Sequence, residues 1–196
     1  AEAEDPSISE VKLHRINHLG RAIKPIADHL AMKEFLALVA ETKPDIIHTH
    51  TFKAGFIARF KKNQVLKAAG KEIKFVHTFH GHLLDDPEFS GPKKNAIIKI
   101  ERALAKKCDK LITVGQKVAD ELLENKVGTQ SQFINIPPGV NPLPTKAKDQ
   151  ARQELGITHS PVIGWLARVT GVKNPLLAAE IAKEIPNSVS MRLTAG

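Results

Sequence analysis

Tyrosine is missing altogether, cysteine and tryptophan occur once each, and long uninterrupted apolar runs are absent. Each shortage removes a class of answer. A lone thiol, Cys108, cannot close an internal disulfide, which suits a reducing cytoplasm. It follows an apolar helical stretch and reads as a packing residue rather than a nucleophile. No run approaches the roughly 20 apolar residues that span a bilayer as a helix. The first ten residues are acidic and polar, without the basic and apolar pattern of a secretory leader. Without tyrosine, and without arginines interleaved with aromatics, an RNA-binding sheet is not expected, and nucleic acid is not an expected partner.

What is present points elsewhere. The 196 residues are 42% hydrophobic and 26% charged, an ordinary soluble composition, but 29 basic against 21 acidic side chains leave a net charge of +8. That excess favours phosphate-bearing partners: nucleotides, nucleic acid or an anionic membrane surface, of which nucleic acid is disfavoured on the grounds above. Many of the lysines fall on expected helices, among them Lys61, Lys62, Lys67, Lys71, Lys93, Lys94, Lys99, Lys106 and Lys107. Most read as a solvated helical face.

Short apolar runs alternate with amphipathic stretches of ten or more residues. Strands are expected over 13–19, 45–50, 74–78, 110–114 and 132–136. Helices are expected over 26–39, over 53–69 with a stop at Gly70, over 95–107 and over 116–125. Strand–helix alternation predicts an α/β fold with a Rossmann-like, doubly wound parallel sheet. The strands are apolar at nearly every position, as when helices cover both faces. A proline-rich stretch with Pro142 and Pro144 then reads as a linker. Beyond it, a helix over 151–155, a strand over 161–167, a helix over 175–185 and a strand over 189–195 predict the start of a second Rossmann-like domain. The division expected is 1–143 and 144–196, the second part too small to stand alone.

Ligands of open parallel sheets bind beyond the carboxyl ends of the strands. Those ends carry His48, His50 and Thr51, then His80, Gly81 and His82, then Gly115, Gly139 and Arg168. Five of the nine histidines, counting His77, belong to two strands, so a shared polar cleft explains them better than chance. One reading is a metal-dependent hydrolase that uses His48, His50 and His80. Such sites usually add a carboxylate, which no strand end supplies, although the loop residues Asp85 and Asp86 lie nearby in sequence. No metal is therefore expected. The other reading is hydrogen bonding to a sugar and a phosphate.

The residues also carry a specific resemblance. Pro44 to Thr51 followed by Lys53-Ala54-Gly55, then Val76 to His82, then Glu101-Arg102 and Cys108 to Val114, are similar to consecutive motifs of retaining GT-B glycosyltransferases. These form the large bacterial family that includes sucrose synthase, the family 4-like group. Ile163 to Val169 with Lys173 resembles the opening of that family's second domain. The resemblance implies transfer of a hexose from a UDP- or GDP-sugar to a sugar or lipid-linked acceptor with retention of configuration, in polysaccharide or glycolipid synthesis. The nucleotide diphosphate sugar is a co-substrate, and no cofactor is implied. His80 is carried over as the catalytic histidine facing the transferred sugar. Arg168 and Lys173 are carried over as the donor-diphosphate groups, with the helix start at Asn174 and Pro175 adding a favourable dipole. His50, Thr51, Lys53, Gly55, Gly81 and His82 would line the acceptor side of the cleft.

The sequence departs from the pattern in three places. It begins near the family's third strand, it stops before the paired glutamates of the second domain, and Pro137 to Asn141 replaces two residues of a family turn. The resemblance thus implies a chain incomplete at both ends. That leaves open a non-catalytic glycosyltransferase-like subunit. The basic helices suggest a cytoplasmic protein with peripheral contact to an anionic inner membrane face.

Overall fold

The structure, a computed structural model, describes residues 12–20, 22, 24–81, 91–139, 144–158, 160, 162–165, 167, 169 and 171–184. The chain divides into two compact units, Ala1–Pro138 and Gly139–Gly196.

The first unit runs α1 (Pro25–Thr42), β1 (Ile46–His50), α2 (Phe52–Phe60), α3 (Lys62–Ala69), β2 (Lys74–Phe79), α4 (Pro92–Ala105), β3 (Lys110–Thr113), α5 (Gln116–Glu124) and β4 (Phe133–Asn135). Local chemistry sets several of these boundaries. Pro25 starts α1 where its missing N–H costs nothing. Gly70, at φ 70°, ends α3 in the left-handed conformation that glycine adopts without strain. The four strands are parallel in the order β1-β2-β3-β4, with His50 opposite Thr78 and Phe79 opposite Thr113.

The α/β class and the Rossmann-like parallel sheet agree with the sequence. Among the described strands the order advances in one direction, so right-handed crossovers place the helices between them on one face. β1 accordingly alternates, burying Ile47 and Thr49 while Ile46, His48 and His50 stay exposed. Among the described residues, two of the three apolar clusters include strand residues of the covered face. Val39, Ala58, Val65, Ala69 and Ile73 pack against Ile47 and Phe75. Ala105, Cys108, Val118, Leu122 and Val127 pack against Leu111 and Phe79. Cys108 is thus core, and burial pushes its thiol above the ordinary range.

Other expectations shift. Residues 13–19 form no strand. They hold a turn at 17–18 and lie along α1, where His18 Nδ1 meets Glu34 Oε1 at 2.6 Å. The helix expected over 53–69 is two helices, broken at Lys61 with φ −105° and ψ 33°. That backbone interrupts the ladder, and a new turn restarts from the Lys61 carbonyl, which accepts from Gln64 and Val65.

The second unit contains α6 (Lys148–Glu154), a 3-10 turn at Gly171–Lys173 and α7 (Pro175–Glu184). Among the described residues of the expected strand 161–167 there is only an isolated bridge at Ile163. The strand expected over 189–195 lies outside the described residues.

Candidate functional site

Alternation along β1 and β2 sorts the histidines onto opposite faces of the sheet. His48 and His50 fall on the exposed face with Thr78, which is itself buried beside them, and His80 follows at the carboxyl end of β2. Thr49 and His77 fall on the helix-covered face.

On the open face the side chains form a polar ladder. His48 Nε2 lies 2.7 Å from Thr78 Oγ1, and His50 Nδ1 lies 2.7 Å from His80 Nε2. The rings of His48 and His50 sit 4.3 Å apart and those of His50 and His80 4.9 Å apart. One nitrogen of the His50–His80 pair must donate and the other accept, so at least one imidazole is neutral. Burial, with the neighbouring His48 and His80, holds His50 below the ordinary histidine value. The pair therefore presents hydrogen-bonding nitrogens without a doubled charge, which suits a sugar hydroxyl. Among the described residues no three His, Cys, Asp or Glu side chains converge as a metal site. The metal-dependent hydrolase reading thus finds no support in the His48, His50 and His80 cluster.

Thr51 follows directly. Its φ of 66° and ψ of 155° put a threonine in a region essentially reserved for glycine, at a cost of about 1–3 kcal/mol. Such strain persists only where the surroundings over-determine it. α2 begins at the next residue, so its free N–H groups start at the carboxyl end of β1.

The covered face carries a second network. His77 Nδ1 bonds Thr49 Oγ1 at 2.8 Å, and the ring meets Phe79 edge-on at 4.7 Å. Burial, then the charge of Arg59, brings His77 down to about 2, so the ring is neutral. Arg59 forks onto Glu101 at 2.9 and 3.0 Å, with both side chains at most 1% exposed. Burial raises the Glu101 carboxyl while Arg59 pulls the other way. Gly55 fits because it lacks a side chain: a Cβ there would lie 2.5 Å from His77 Cε1.

The structure brings some expected site residues together and separates others. His50, Thr51, His80 and Gly81 gather at the carboxyl ends of β1 and β2. Lys53 turns to α1, where its ammonium meets Asp28 at 2.5 Å, and also donates to the Ala22 carbonyl just before that helix. Gly55 faces His77 rather than the open face. Lys173 closes the 3-10 turn before α7, whose Leu177 N–H donates to Asn174 Oδ1 at 3.2 Å. His82 and Arg168 lie outside the described residues, as do Asp85 and Asp86.

Thr78, Arg59 and the Thr49–His77 bond were not singled out from sequence. Glu101 had a legible signal: its spacing from Ile97, Ile98, Leu104 and Ala105 puts it on the buried stripe of α4. A carboxylate on such a stripe needs a buried cation. Arg59, in the apolar run Phe56 to Phe60, is the match.

The profile described as Glycosyltransferase Family 4 matches residues 2–142. The chain belongs to glycosyltransferase family 4. A curated relative, the Escherichia coli "UDP-Gal:alpha-D-GlcNAc-diphosphoundecaprenol alpha-1,3-galactosyltransferase", is 28% identical over 178 residues, covering 85% of this chain and 43% of that protein. Among solved structures, Anabaena HepE in complex with UDP and glucose superposes with a TM-score of 0.61 at 17% identity, over 89% of this chain and 45% of that one. Sucrose-phosphate synthase from Thermosynechococcus elongatus gives 0.64 at 20% identity, over 87% and 42%. These likenesses show the Rossmann-like GT-B fold. The chain spans less than half the length of each of these relatives. Among the described residues no helix is long and apolar enough to cross a membrane.

Proposed function

We propose that this chain is part of a retaining glycosyltransferase that moves a hexose from a UDP- or GDP-sugar to a sugar or lipid-linked acceptor in polysaccharide or glycolipid synthesis. The observation that carries the reading is the His50–His80 pair, 2.7 Å apart at the carboxyl end of the sheet in a chain of family 4. In this reading 1–143 supplies the acceptor side and 144–196 the beginning of the donor-nucleotide domain. His80, with an exposed ring free of the core, hydrogen-bonds the hexose and fixes its orientation. His50 sets which His80 nitrogen points outward, while Thr51, Gly81 and His82 shape the acceptor side. Arg168 and Lys173 offset charge that develops on the departing diphosphate, and the α7 N-terminus adds its dipole. No resident cofactor is needed.

The activity named for the Escherichia coli relative makes UDP-galactose and a diphosphoundecaprenol-linked acceptor the first pair to test. The gene product that contains this chain is assayed against a panel of UDP- and GDP-sugars, and the product anomer is read by NMR. Turnover with the donor's anomeric configuration kept supports the reading. Absence of turnover across the panel rejects transfer, and an inverted product rejects retention.

One surface favours a cytoplasmic protein in peripheral contact with an anionic membrane. Phe60 is 49% exposed, with Lys61 Nζ 5.4 Å and Lys107 Nζ 5.6 Å from its ring centre. A phenylalanine ringed by ammonium groups suits an acyl boundary beneath acidic headgroups. Sedimentation with anionic vesicles but not neutral ones is expected, and a Phe60→Ser, Lys61→Ser variant should stay in the supernatant. Equal sedimentation of wild type and variant rejects this surface.

A further inference from the structure

We propose that Arg59 and Glu101 are positioning residues for the sugar site: their ion pair, buried behind the sheet, clamps the first turn of α2 and so holds Thr51 and the His50–His80 pair in register. The naming of the site rests on the glycosyltransferase reading, but the clamp itself rests on geometry alone.

A line of hydrogen bonds connects the two ends. Glu101 takes both terminal nitrogens of Arg59, at 2.9 and 3.0 Å. The remaining Nε–H of Arg59 donates to the Gly55 carbonyl at 2.9 Å. The Gly55 N–H in turn donates to the Thr51 carbonyl at 3.1 Å. α4 is thereby tied, through one guanidinium and one helical turn, to the strained residue that follows His50.

A second set of contacts pins the same turn sideways. Gly55 presses on His77 at a distance that no Cβ tolerates, and His77 bonds Thr49 across the two strands. Thr49 immediately precedes His50, and His77 lies three residues before His80. Thr51 at φ 66° and ψ 155° is thus fixed on both sides, by the β1–β2 ladder before it and by the clamped turn after it.

Stability alone is a poor reason for this arrangement. A buried ion pair is commonly replaced by apolar side chains of similar volume with no loss of stability, whereas a forked guanidinium fixes direction as well as distance. Specified geometry is therefore the better account of why two charges lie beneath this site.

The test uses two variants, Arg59→Met with Glu101→Leu, and Arg59→Lys, which keeps the charge but loses the fork and the Nε–H bond to Gly55. In this chain, NMR titration follows His50. Arg59→Lys keeps the positive charge, so movement of the His50 titration in that variant reports displaced geometry rather than lost charge. In the gene product carrying the chain, sugar transfer is measured as kcat and donor KM separately.

For folded variants with thermal midpoints near wild type, the expected result is a His50 titration moved toward 6.5 and kcat lower by about 10- to 100-fold at a donor KM within about twofold. A wild-type His50 titration and wild-type kcat in folded variants overturn the proposal. If the double variant does not fold, Arg59→Lys decides. Should the wild-type gene product turn over no nucleotide sugar, the glycosyltransferase reading fails, and the His50 titration still decides the clamp.

Discussion

Gly55→Ala adds one carbon where the structure has no room for it. The new Cβ would sit 2.5 Å from His77 Cε1 and 2.7 Å from both His77 Nδ1 and Arg59 Nη2. Neither neighbour is a loose end. His77 is held by Thr49 and by the edge of Phe79, and Arg59 is held by both oxygens of Glu101. In an open helix interior the same change would stabilise by about 1 kcal/mol. Here overpacking costs about 1–3 kcal/mol, and breaking a buried hydrogen bond to make space costs about 1–3 kcal/mol more. The net expectation is a loss of about 3 kcal/mol, which for a unit of this size lowers the thermal midpoint by roughly 6–12 °C. Circular dichroism melts and urea titrations of wild type and variant measure it. Gly20→Ala, with nothing within 4 Å of the added carbon, is the control and should be neutral or slightly stabilising. A Gly55→Ala protein as stable as wild type would refute the seating of α2 on His77.

Arg59→Ala leaves Glu101 buried without its partner and should cost about 3–5 kcal/mol in urea unfolding, whereas the apolar Arg59→Met, Glu101→Leu pair should stay within about 1.5 kcal/mol of wild type. The buried imidazole gives a pH signature. His77 titrates at about 2 in the folded state against 6.5 ordinarily, so below about pH 6.5 the unfolded chain binds more protons than the native one. Its contribution is complete above that pH and is lost as the pH falls toward 2, by up to about 1.4 kcal/mol per unit. His77→Gln should flatten the stability profile between about pH 6.5 and 4.5; identical slopes in the two proteins would count against a neutral buried His77. His80→Ala, on an exposed ring, should leave the thermal midpoint nearly unchanged and lower the kcat of sugar transfer by about 100-fold. Wild-type kcat in that variant removes His80 from the site.

The helices and parallel strands of the first unit were legible because their signals are local. Gly70 and Pro25 mark boundaries by backbone preference, and the apolar spacing of α4 and α5 follows from burying one face. The strand expected at 13–19 has apolar residues but takes its structure from contacts with α1, made by His18 and Glu34. No pattern within seven residues contains that information. The break at Lys61 and the left-handed threonine at 51 are invisible for a related reason: neither position has the glycine or proline that normally announces such a backbone. Thr51 is held by its neighbours, so its conformation is a property of the assembled unit.

The histidines show where reading by composition stops and geometry takes over. His48, His50, His77 and His80 look alike as members of one polar cluster, and a metal site is a reasonable inference from imidazoles alone. A strand's two-residue period divides them. His77 shares its side of the sheet with Phe75 and Phe79, where burial and Arg59 keep it uncharged and bound to Thr49. His48, His50 and His80 share the other side with Thr78 and bond one another or that hydroxyl. An imidazole beneath the sheet can hold strand ends in place but cannot meet a substrate, whereas one at the open end can meet it but has little packing to hold it still. The two sets are complementary for that reason, and they meet at β1, where the buried His77 bonds Thr49, the residue before His50.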